Sequence, residues 1–540
     1  MKLSRMIELL PTRRSVVAVL AGFVFFCLTG GASGNGWEHT ALSFDVLVKG
    51  LAVDDVTTRT RAAQSLGVRG QPEAVPVLLA RLRLPEDNAV VRSAIYEALG
   101  ALGVADAVPA LFECLDQETR QELRADCAVA LAGAGGQAAL ERLIGLVEGN
   151  DHIIVRSSAV RALGGFRDDA AVDALTAILE PDDGLYAQAL RAIGLGPPKP
   201  DAGLRRRAVS ALGRTTNPAA AEPLLRALAA ATRDDERLLI VRALVPLRAD
   251  EAAPAFRAMI KDAGDRRLRG AATIGLATLG EADLREQLEP LLADADAGVR
   301  LAAIRGLGRH GDRAAVPRLD HMVRSLVGAI NARGQAVNDA EAPRTLMEAK
   351  LVEAALRAII DLDPAAALQS LALAAQVVAV NRNSTSALAV ASALYQVRRT
   401  ALYGLGYTSD VSAVALLSGT FGLSAQDPRL RAVATRSVGV LAPDDADAIV
   451  VPMLRDTDAD VRRTAAQVLG RLRAKSAAQP LSIGLADKDG RVRRESALAL
   501  GFIGDTSTIP GLRRLAREDP SSDVKAAARY ALDVLESAEK

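Results

Sequence analysis

The sequence predicts an all-α solenoid, and three observations carry that prediction. The first is repetition. The pattern Val-Arg-x-x-Ala-x-x-Ala-Leu-Gly recurs down the 540 residues, placing its arginine at Arg59, Arg92, Arg124, Arg156, Arg205, Arg237, Arg269, Arg300, Arg398, Arg431, Arg462 and Arg493, with Lys525 as a relic and Val352 where the charge is lost. Neighbouring positions lie 31 to 33 residues apart except at intervals of 49, 52 and 46. A period of this length marks a stacked array of about fourteen units, because no single unit can bury its apolar face alone. The second observation is composition. Aromatic residues make up only 3% of the chain, and cores of Ala, Leu and Val suit closely packed helix pairs better than strands. The third is the apolar stripe flanking each repeat arginine and returning at the Ala-Leu pair, which has the 3.6-residue period of a helix. Length alone would suggest several globular domains, but repetition favours one continuous array over residues 35–540.

The elements follow in order from the N-terminus. Arg13 and Arg14 precede an uncharged run from Ser15 to Leu28, and Gly30, Gly31, Ala32, Ser33 and Gly34 follow it. This is the layout of a secretory signal, so residues 1–34 are expected to be a cleaved export peptide and the mature protein to be periplasmic or extracellular. The alternative is an uncleaved membrane anchor, although 14 residues fall short of the roughly 20 that cross a bilayer core. Thr12-Arg13-Arg14-Ser15 also has the look of a twin-arginine signal, and the choice between export routes stays open. Formal charge is +1 for the whole chain; without residues 1–34, 62 basic groups face 64 acidic ones. That balance does not point to nucleic acid, whose binding draws on a basic excess.

Within one repeat, the residue four places before the arginine is Asp55, Asn88, Asp201, Asp265, Asp296, Asp427, Asp458, Asp489 or Ser521. These types accept from the exposed amides of a first helical turn, so the column is an N-cap and the second helix of each pair starts there. Pro428 after Asp427 suits the first helical position. Gly67, Gly100, Gly164, Gly213, Gly308, Gly406, Gly439, Gly470 and Gly501 close the motif where neighbouring helices are expected to touch. Gly70, Gly103, Gly280, Gly311 and Gly504 suit the left-handed residue that ends a helix. Ala-Val-Pro then opens the next helix, as at Ala74-Val75-Pro76 and Ala315-Val316-Pro317, with proline in its first turn. Insertions break the period near 181–203 and 324–395. The first holds Pro181-Asp182-Asp183-Gly184 and Pro197-Pro198-Lys199-Pro200 around a short helix at about Leu185 to Ile193. The second holds a polar loop from Asn331 to Arg344 and apolar helices near Ala365 to Val380 and Ala387 to Val397. Insertions in solenoids map to loops on one face and often bind; the alternative is that these two are only tolerated lengthening.

Few residues suggest a reaction. His39, His152, His310 and His321 are scattered, with no pair at i and i+4 and no Cys or carboxylate cluster about them, so no metal or other cofactor is expected. No Gly-x-Ser-x-Gly elbow occurs. Acidic pairs such as Asp54-Asp55, Asp168-Asp169 and Asp444-Asp445 read as solvated caps in turns. Asn383-Ser384-Thr385 matches a glycosylation sequon. Cys27 lies in the apolar N-terminal run. Cys114 and Cys127 fall on neighbouring helices, so a disulfide is conceivable in an oxidising compartment, but because Cys127 takes a slot held elsewhere by Ala or another small residue, a buried free thiol is the expected state.

The Leu-Gly, Ala-Val-Pro and Asp-x-x-x-Arg signature, over about residues 40 to 538, resembles HEAT repeats, specifically the short variety of phycobilisome-lyase-like HEAT proteins. The resemblance implies a right-handed superhelix of stacked antiparallel helix pairs, with the arginine helices lining the concave face. It also implies a structural ladder along the stack formed by the Asp and Arg columns, among them Asp296, Arg300, Asp458, Arg462, Asp489 and Arg493. HEAT-like deoxyhypusine hydroxylases bind iron through His-Glu dipeptides, and this sequence contains none.

Beside the ladder stand two further arginine columns. Arg161, Arg242, Arg305, Arg357 and Arg436 lie five residues after the repeat position, and Arg206, Arg399, Arg463 and Arg494 lie one after it. Positions four apart share a helix face. They would make a basic groove for an acidic protein partner, or else an ordinary solvated surface neutralised by nearby carboxylates. The expected function is thus that of an exported, non-catalytic scaffold binding another protein along its concave surface. Two alternatives stand beside it: a lyase-like HEAT enzyme or accessory subunit, and a nucleic-acid-binding HEAT-like protein.

Overall fold

The computed structural model describes residues 43–538, apart from 85, 87, 150, 181–200, 263, 336–337 and 379–383. The export segment with Cys27, His39, the short helix expected at 185–193 with its flanking prolines, and Asn383 of the sequon lie outside the described residues. The chain divides into two compact units, residues 1–279 and 280–540. Both are helical, and no strand occurs among the described residues.

Each repeat arginine sits in the second helix of an antiparallel pair, and these second helices are labelled in chain order. In the first unit they are α1 Val56–Arg69, α2 Ala89–Leu102, α3 Gln121–Ala134, α4 Ile153–Leu163, α5 Ala202–Thr215, α6 Asp234–Leu244 and α7 Arg266–Leu279. In the second they are α8 Ala297–His310, α9 Ala342–Leu362, α10 Thr385–Leu405, α11 Pro428–Leu441, α12 Ala459–Arg471, α13 Gly490–Ile503 and α14 Ser522–Ala538. Within each unit every second helix packs on the next. The N-cap column behaves as its residue types dictate, since Asp55, Asn88, Asp201, Asp296, Asp427, Asp458 and Asp489 each accept from an amide of the first turn. Gly70, Gly103, Gly280, Gly311 and Gly504 all have positive φ. A turn of 3-10 helix precedes several first helices, as at Ala105–Ala107 before Val108–Gln117 and at Thr506–Thr508 before Ile509–Glu518.

The stack is held by two sets of contacts. The motif leucines, such as Leu66, Leu99, Leu131, Leu163, Leu212, Leu307, Leu469 and Leu500, are fully buried, each stabilising by roughly 1.5 to 3 kcal/mol relative to exposure. The motif glycines allow backbones to touch. A Cβ on Gly100 would lie 2.7 Å from the Cα of Ala130, and one on Gly470 would lie 2.7 Å from the Cα of Ala499, so neighbouring second helices meet main chain to main chain.

The second insertion lengthens helices rather than forming a lobe of loop. The first helix of that pair, Val316–Arg333, runs 18 residues, and α9 and α10 each run 21. The apolar stretch expected at 387–397 is the first half of α10, continuous with the repeat helix. Arg333 donates to Glu348 at 2.5 Å and to Thr345 at 3.1 Å, pinning the long hairpin with a buried carboxylate.

Two expectations are corrected. Cys114 and Cys127 form a disulfide, with Cα atoms 6.4 Å apart. The slot three residues after the repeat arginine holds small side chains in the other repeats except at Ile95 and Ile240, but it faces the first helix of its own pair, which sets Cys127 opposite Cys114. The arginine ladder also takes its carboxylates from another column than Asp458 and Asp489. Arg462 donates through Nε and Nη2 to Asp487 at 2.7 and 2.9 Å, while Asp458 is occupied as the cap. Arg493 pairs with Asp519 at 2.6 Å and Arg431 with Asp456 at 2.7 Å. In the first unit Arg59 pairs with Glu86, Arg92 with Glu118 and Arg124 with Asp151.

The ladder acid stands two residues before the cap of the following repeat, except that Asp151 directly precedes its cap His152, and in most cases it also accepts the amide of that cap residue, as Asp487 does from Asp489 at 2.8 Å. Nη1 of Arg462 meanwhile donates to the carbonyls of Asp456 and Thr457. One guanidinium thus ties its own turn to the next. Burial pushes the Asp487 carboxyl up, but the hydrogen bonds from Arg462 and the Asp489 amide outweigh it and hold the group below its ordinary value. Arg300 donates to the carbonyls of Asp294 and Ala295, while Asp296 caps α8.

Candidate functional site

Positions one, five and nine after the repeat arginine form the face of each second helix that the ladder and core leave to solvent. Of the nine predicted site residues, Arg161, Arg206, Arg242, Arg305, Arg357, Arg399, Arg436 and Arg494 are exposed and Arg463 is half-buried. They fall on α4, α5 and α6 in the first unit and on α8 to α13 in the second. Three are neutralised locally: Arg357 by Glu353 at 2.6 Å, Arg463 by Asp460 at 3.3 Å and Arg494 by Glu495 at 2.7 Å. Arg206, Arg242, Arg305, Arg399 and Arg436 have no ion pair among the described residues. The basic columns are therefore part ordinary surface and part uncommitted charge.

In the first unit the face is polar and mixed in sign. Ser93 of α2 donates to Asp126 of α3 at 2.6 Å. Nearby Glu97 is exposed, yet desolvation by the flanking protein and the negative charge of Asp126 raise its carboxyl above the ordinary value, with Arg161 pulling the other way. Arg214 of α5 donates to the carbonyl of Arg161 at 2.8 Å and is held below its ordinary value by desolvation and then by the charge of Arg161.

The second unit carries what sequence reasoning missed. Tyr403 and Tyr407 are exposed, at 45% and 42%, with ring centroids 4.8 Å apart. Phe502 of α13 and Tyr530 of α14 are exposed too and meet edge to face at 6.4 Å. Tyr395 of α10 lies under the Arg429 guanidinium of α11 at 4.3 Å. Tyr403 and Tyr530 occupy the column five after the repeat position, and Tyr407 and Phe502 the column nine after it. The signal lies in the sequence as the same four-residue spacing that locates the arginines, carried here by rings rather than charges.

No group of three or more His, Cys, Asp or Glu side chains among the described residues could hold a metal ion. Of the acidic pairs, Asp55 and Asp168 are helix caps and Asp169 accepts from Asn217 at 2.7 Å. No helix among the described residues is long and apolar enough to cross a membrane.

The comparisons with known proteins agree with this reading of the repeats. The sequence profile described as HEAT repeats matches residues 44–132, 121–194, 253–333 and 448–533, together more than half of the chain. The PBS lyase HEAT-like repeat matches residues 204–230. No curated protein matches the chain in sequence. Among solved structures, Kap95 in a complex with Nup1 is similar over 93% of this chain and 73% of its own, with 12% identity and a TM-score of 0.54. A Kap95p complex with RanGDP covers 93% and 72% at 13% identity, TM-score 0.49. Human deoxyhypusine hydroxylase covers 53% and 96% at 20% identity, with a TM-score of 0.22. At 12% identity the likeness to Kap95 in its complex with Nup1 is one of fold.

Proposed function

Because the chain belongs to the HEAT-repeat family, we propose that it is an exported, non-catalytic scaffold that binds a protein partner along the outer columns of its second helices. The observation that carries the reading is the division of labour among the arginines. One column is turned inward, onto carboxylates of the next repeat or onto backbone carbonyls, while Arg206, Arg242, Arg305, Arg399 and Arg436, on equally regular positions, have no ion pair among the described residues. A surface that is regular, exposed and charged without a structural role suits extended recognition. Kap95, of like fold, is found bound to Nup1, which supports the use of such a stack for holding another protein. Export is supported by the N-terminal sequence together with the disulfide, since such bonds persist in oxidising compartments.

The test is expression in a bacterial host followed by fractionation, N-terminal sequencing and affinity capture of the mature chain with mass spectrometry. The proposal expects a mature N-terminus near Ser33 or Asn35 in the periplasmic fraction and a protein partner retained at moderate salt. A full-length chain in the cytoplasm would overturn the export half of the proposal. Retention of nucleic acid in place of protein would overturn the other half.

A further inference from the structure

The aromatic residues of this chain are few, and their placement in the second unit is uneven. The whole sequence has six tyrosines, nine phenylalanines and one tryptophan. Tyr403 of α10, Tyr407 in the turn that follows it, Phe502 of α13 and Tyr530 of α14 nevertheless stand exposed along one run of second helices, at the column positions that face solvent. An exposed aromatic ring is costly to leave in water and is typical of the centre of an interface, where Tyr, Trp and Arg dominate binding energy. Arginines occupy the same columns: Arg399, Arg436, Arg463, Arg471 and Arg494. No Asp or Glu occupies columns one, five or nine on α10 to α14. The matching columns of the first unit carry Glu97 and no aromatic residue.

We propose that the outer face of α10 to α14 binds an acidic, extended protein segment in which carboxylates alternate with large apolar side chains. The proposal rests on the scaffold reading above and names the partner's chemistry and its place. Charge complementarity selects the carboxylates: Arg399 and Arg436 have no ion pair among the described residues and can each take a bidentate carboxylate. The rings select the apolar residues, with the Tyr403 and Tyr407 pair at one end and the Phe502 and Tyr530 pair at the other. Helices packed side by side lie about 8 to 10 Å apart, so five of them present roughly 40 Å, the span of about twelve residues of extended chain. A nucleic acid would also offer negative charge and stacking surfaces. Asp460 and Glu495, each paired with a column arginine on this face, would oppose a continuous phosphate backbone, whereas a peptide can place its charges between them.

The test uses the full mature chain and fluorescence anisotropy with a labelled peptide of about fourteen residues in which Glu or Asp alternates with Phe or Leu. Controls are the same peptide with Lys for every acid, the same peptide with Ser for every apolar residue, and an oligothymidylate. The alternating acidic peptide should bind, and both altered peptides should bind at least tenfold more weakly. R399E with R436E should weaken it tenfold and flatten its salt dependence. F502S with Y530S should weaken it tenfold while leaving the salt dependence unchanged. Circular dichroism and melting of both double variants keep a folding defect distinguishable from a binding defect. The proposal is overturned if the lysine peptide binds as well, if the oligothymidylate binds more tightly, or if folded double variants bind like wild type. Should the acidic peptide fail while a captured partner binds folded wild type and both variants equally, the face assignment is wrong and the scaffold reading stands.

Discussion

The run from Arg431 to Asp519 and the run from Arg156 to Arg237 share one repeat motif and are held together differently. In the first, three successive arginines each reach a carboxylate of the following repeat, at 2.6 to 2.7 Å. In the second, Arg156 donates to the carbonyl of Val147 and Arg205 to that of Leu179. The arginine and the capping position are present in both. What differs is the residue two places before the next cap: Asp456, Asp487 and Asp519 in one run, Lys199 and Ala231 in the other. The ladder is thus decided by a third column, and a repeat can keep its motif while losing the tie.

The largest expected effect tests that difference directly. Arg462→Ala should lower stability by about 3 kcal/mol, because it leaves the mostly buried carboxylate of Asp487 without its counter-charge. Arg205→Ala, which removes a hydrogen bond to a carbonyl, should cost about 1 kcal/mol. Denaturant titration followed by far-UV circular dichroism measures both, and equal losses would erase the distinction between the runs. The same ties set a pH dependence. Asp456, Asp487 and Asp519 have folded-state pKa values below their ordinary ones, so their contribution is complete above the unfolded value of about 3.9 and is lost as pH falls through the lower folded values. An Asp487→Asn chain should accordingly lose less stability than wild type on acidification through that window.

The disulfide gives the next effect and confines it to the first unit. Cys114 and Cys127 close a short loop, with a sequence separation of 13, for which chain-entropy reasoning gives about 3 kcal/mol. Native strain and residual structure reduce such figures, so Cys114→Ser with Cys127→Ser should cost about 2 kcal/mol. Hydrogen exchange should quicken in α2 and α3 and stay unchanged in α11 to α13. A uniform change would show that the two units do not open separately.

A smaller effect runs in the opposite direction. Ala231 holds the ladder-acid position ahead of α6, and Ala231→Asp should offer a carboxylate to Arg205 and to the Arg233 amide. The expected gain is about 1 kcal/mol, the size of a charge-assisted hydrogen bond after desolvation. In an Arg205→Ala background the gain should vanish, and the double-mutant cycle isolates the pair. A loss in both backgrounds would mean that the turn before α6 cannot take the geometry of the turn before α13.

The sequence made the stack legible because its scaffold is periodic. The Asp489 cap, the Gly504 terminus, the buried Leu500 and the close approach at Gly470 each follow from residue type at a fixed offset, and each needs only local chemistry. The partner of Arg493 was not legible in the same way. Both Asp489 and Asp487 precede it, and choosing between them requires knowing that the cap oxygen is already spent on the amide of Arg491. The partner that is chosen, Asp519, lies in the next repeat. The disulfide ranked below a free thiol because a small-residue slot says how much room there is, not which helix it faces. On the outer face, charge drew attention to Arg436 and Arg399, while Tyr403 and Tyr530, on the same column spacing, were hidden by being rare.

The smallest expected effect on stability separates the outer face from the ladder. Arg305, Arg357 and Arg436 stand on the column five after the repeat position, and all three are exposed. Arg357 reaches only Glu353, one helical turn away at 2.6 Å, and exposed pairs of that kind contribute about 0.5 kcal/mol or less. Changing all three to Glu should therefore move the folding free energy by about 1 kcal/mol at most, against about 3 for Arg462 alone. The charge reversal acts elsewhere: it replaces three positive groups on one face with three negative ones, so an acidic partner should associate more slowly, and the difference from wild type should shrink as salt screens it. Melting curves and association rates at two ionic strengths measure the two sides of this contrast. If the triple change unfolds the second unit while Arg462→Ala leaves it intact, the two arginine columns have exchanged roles and the outer face is part of the scaffold.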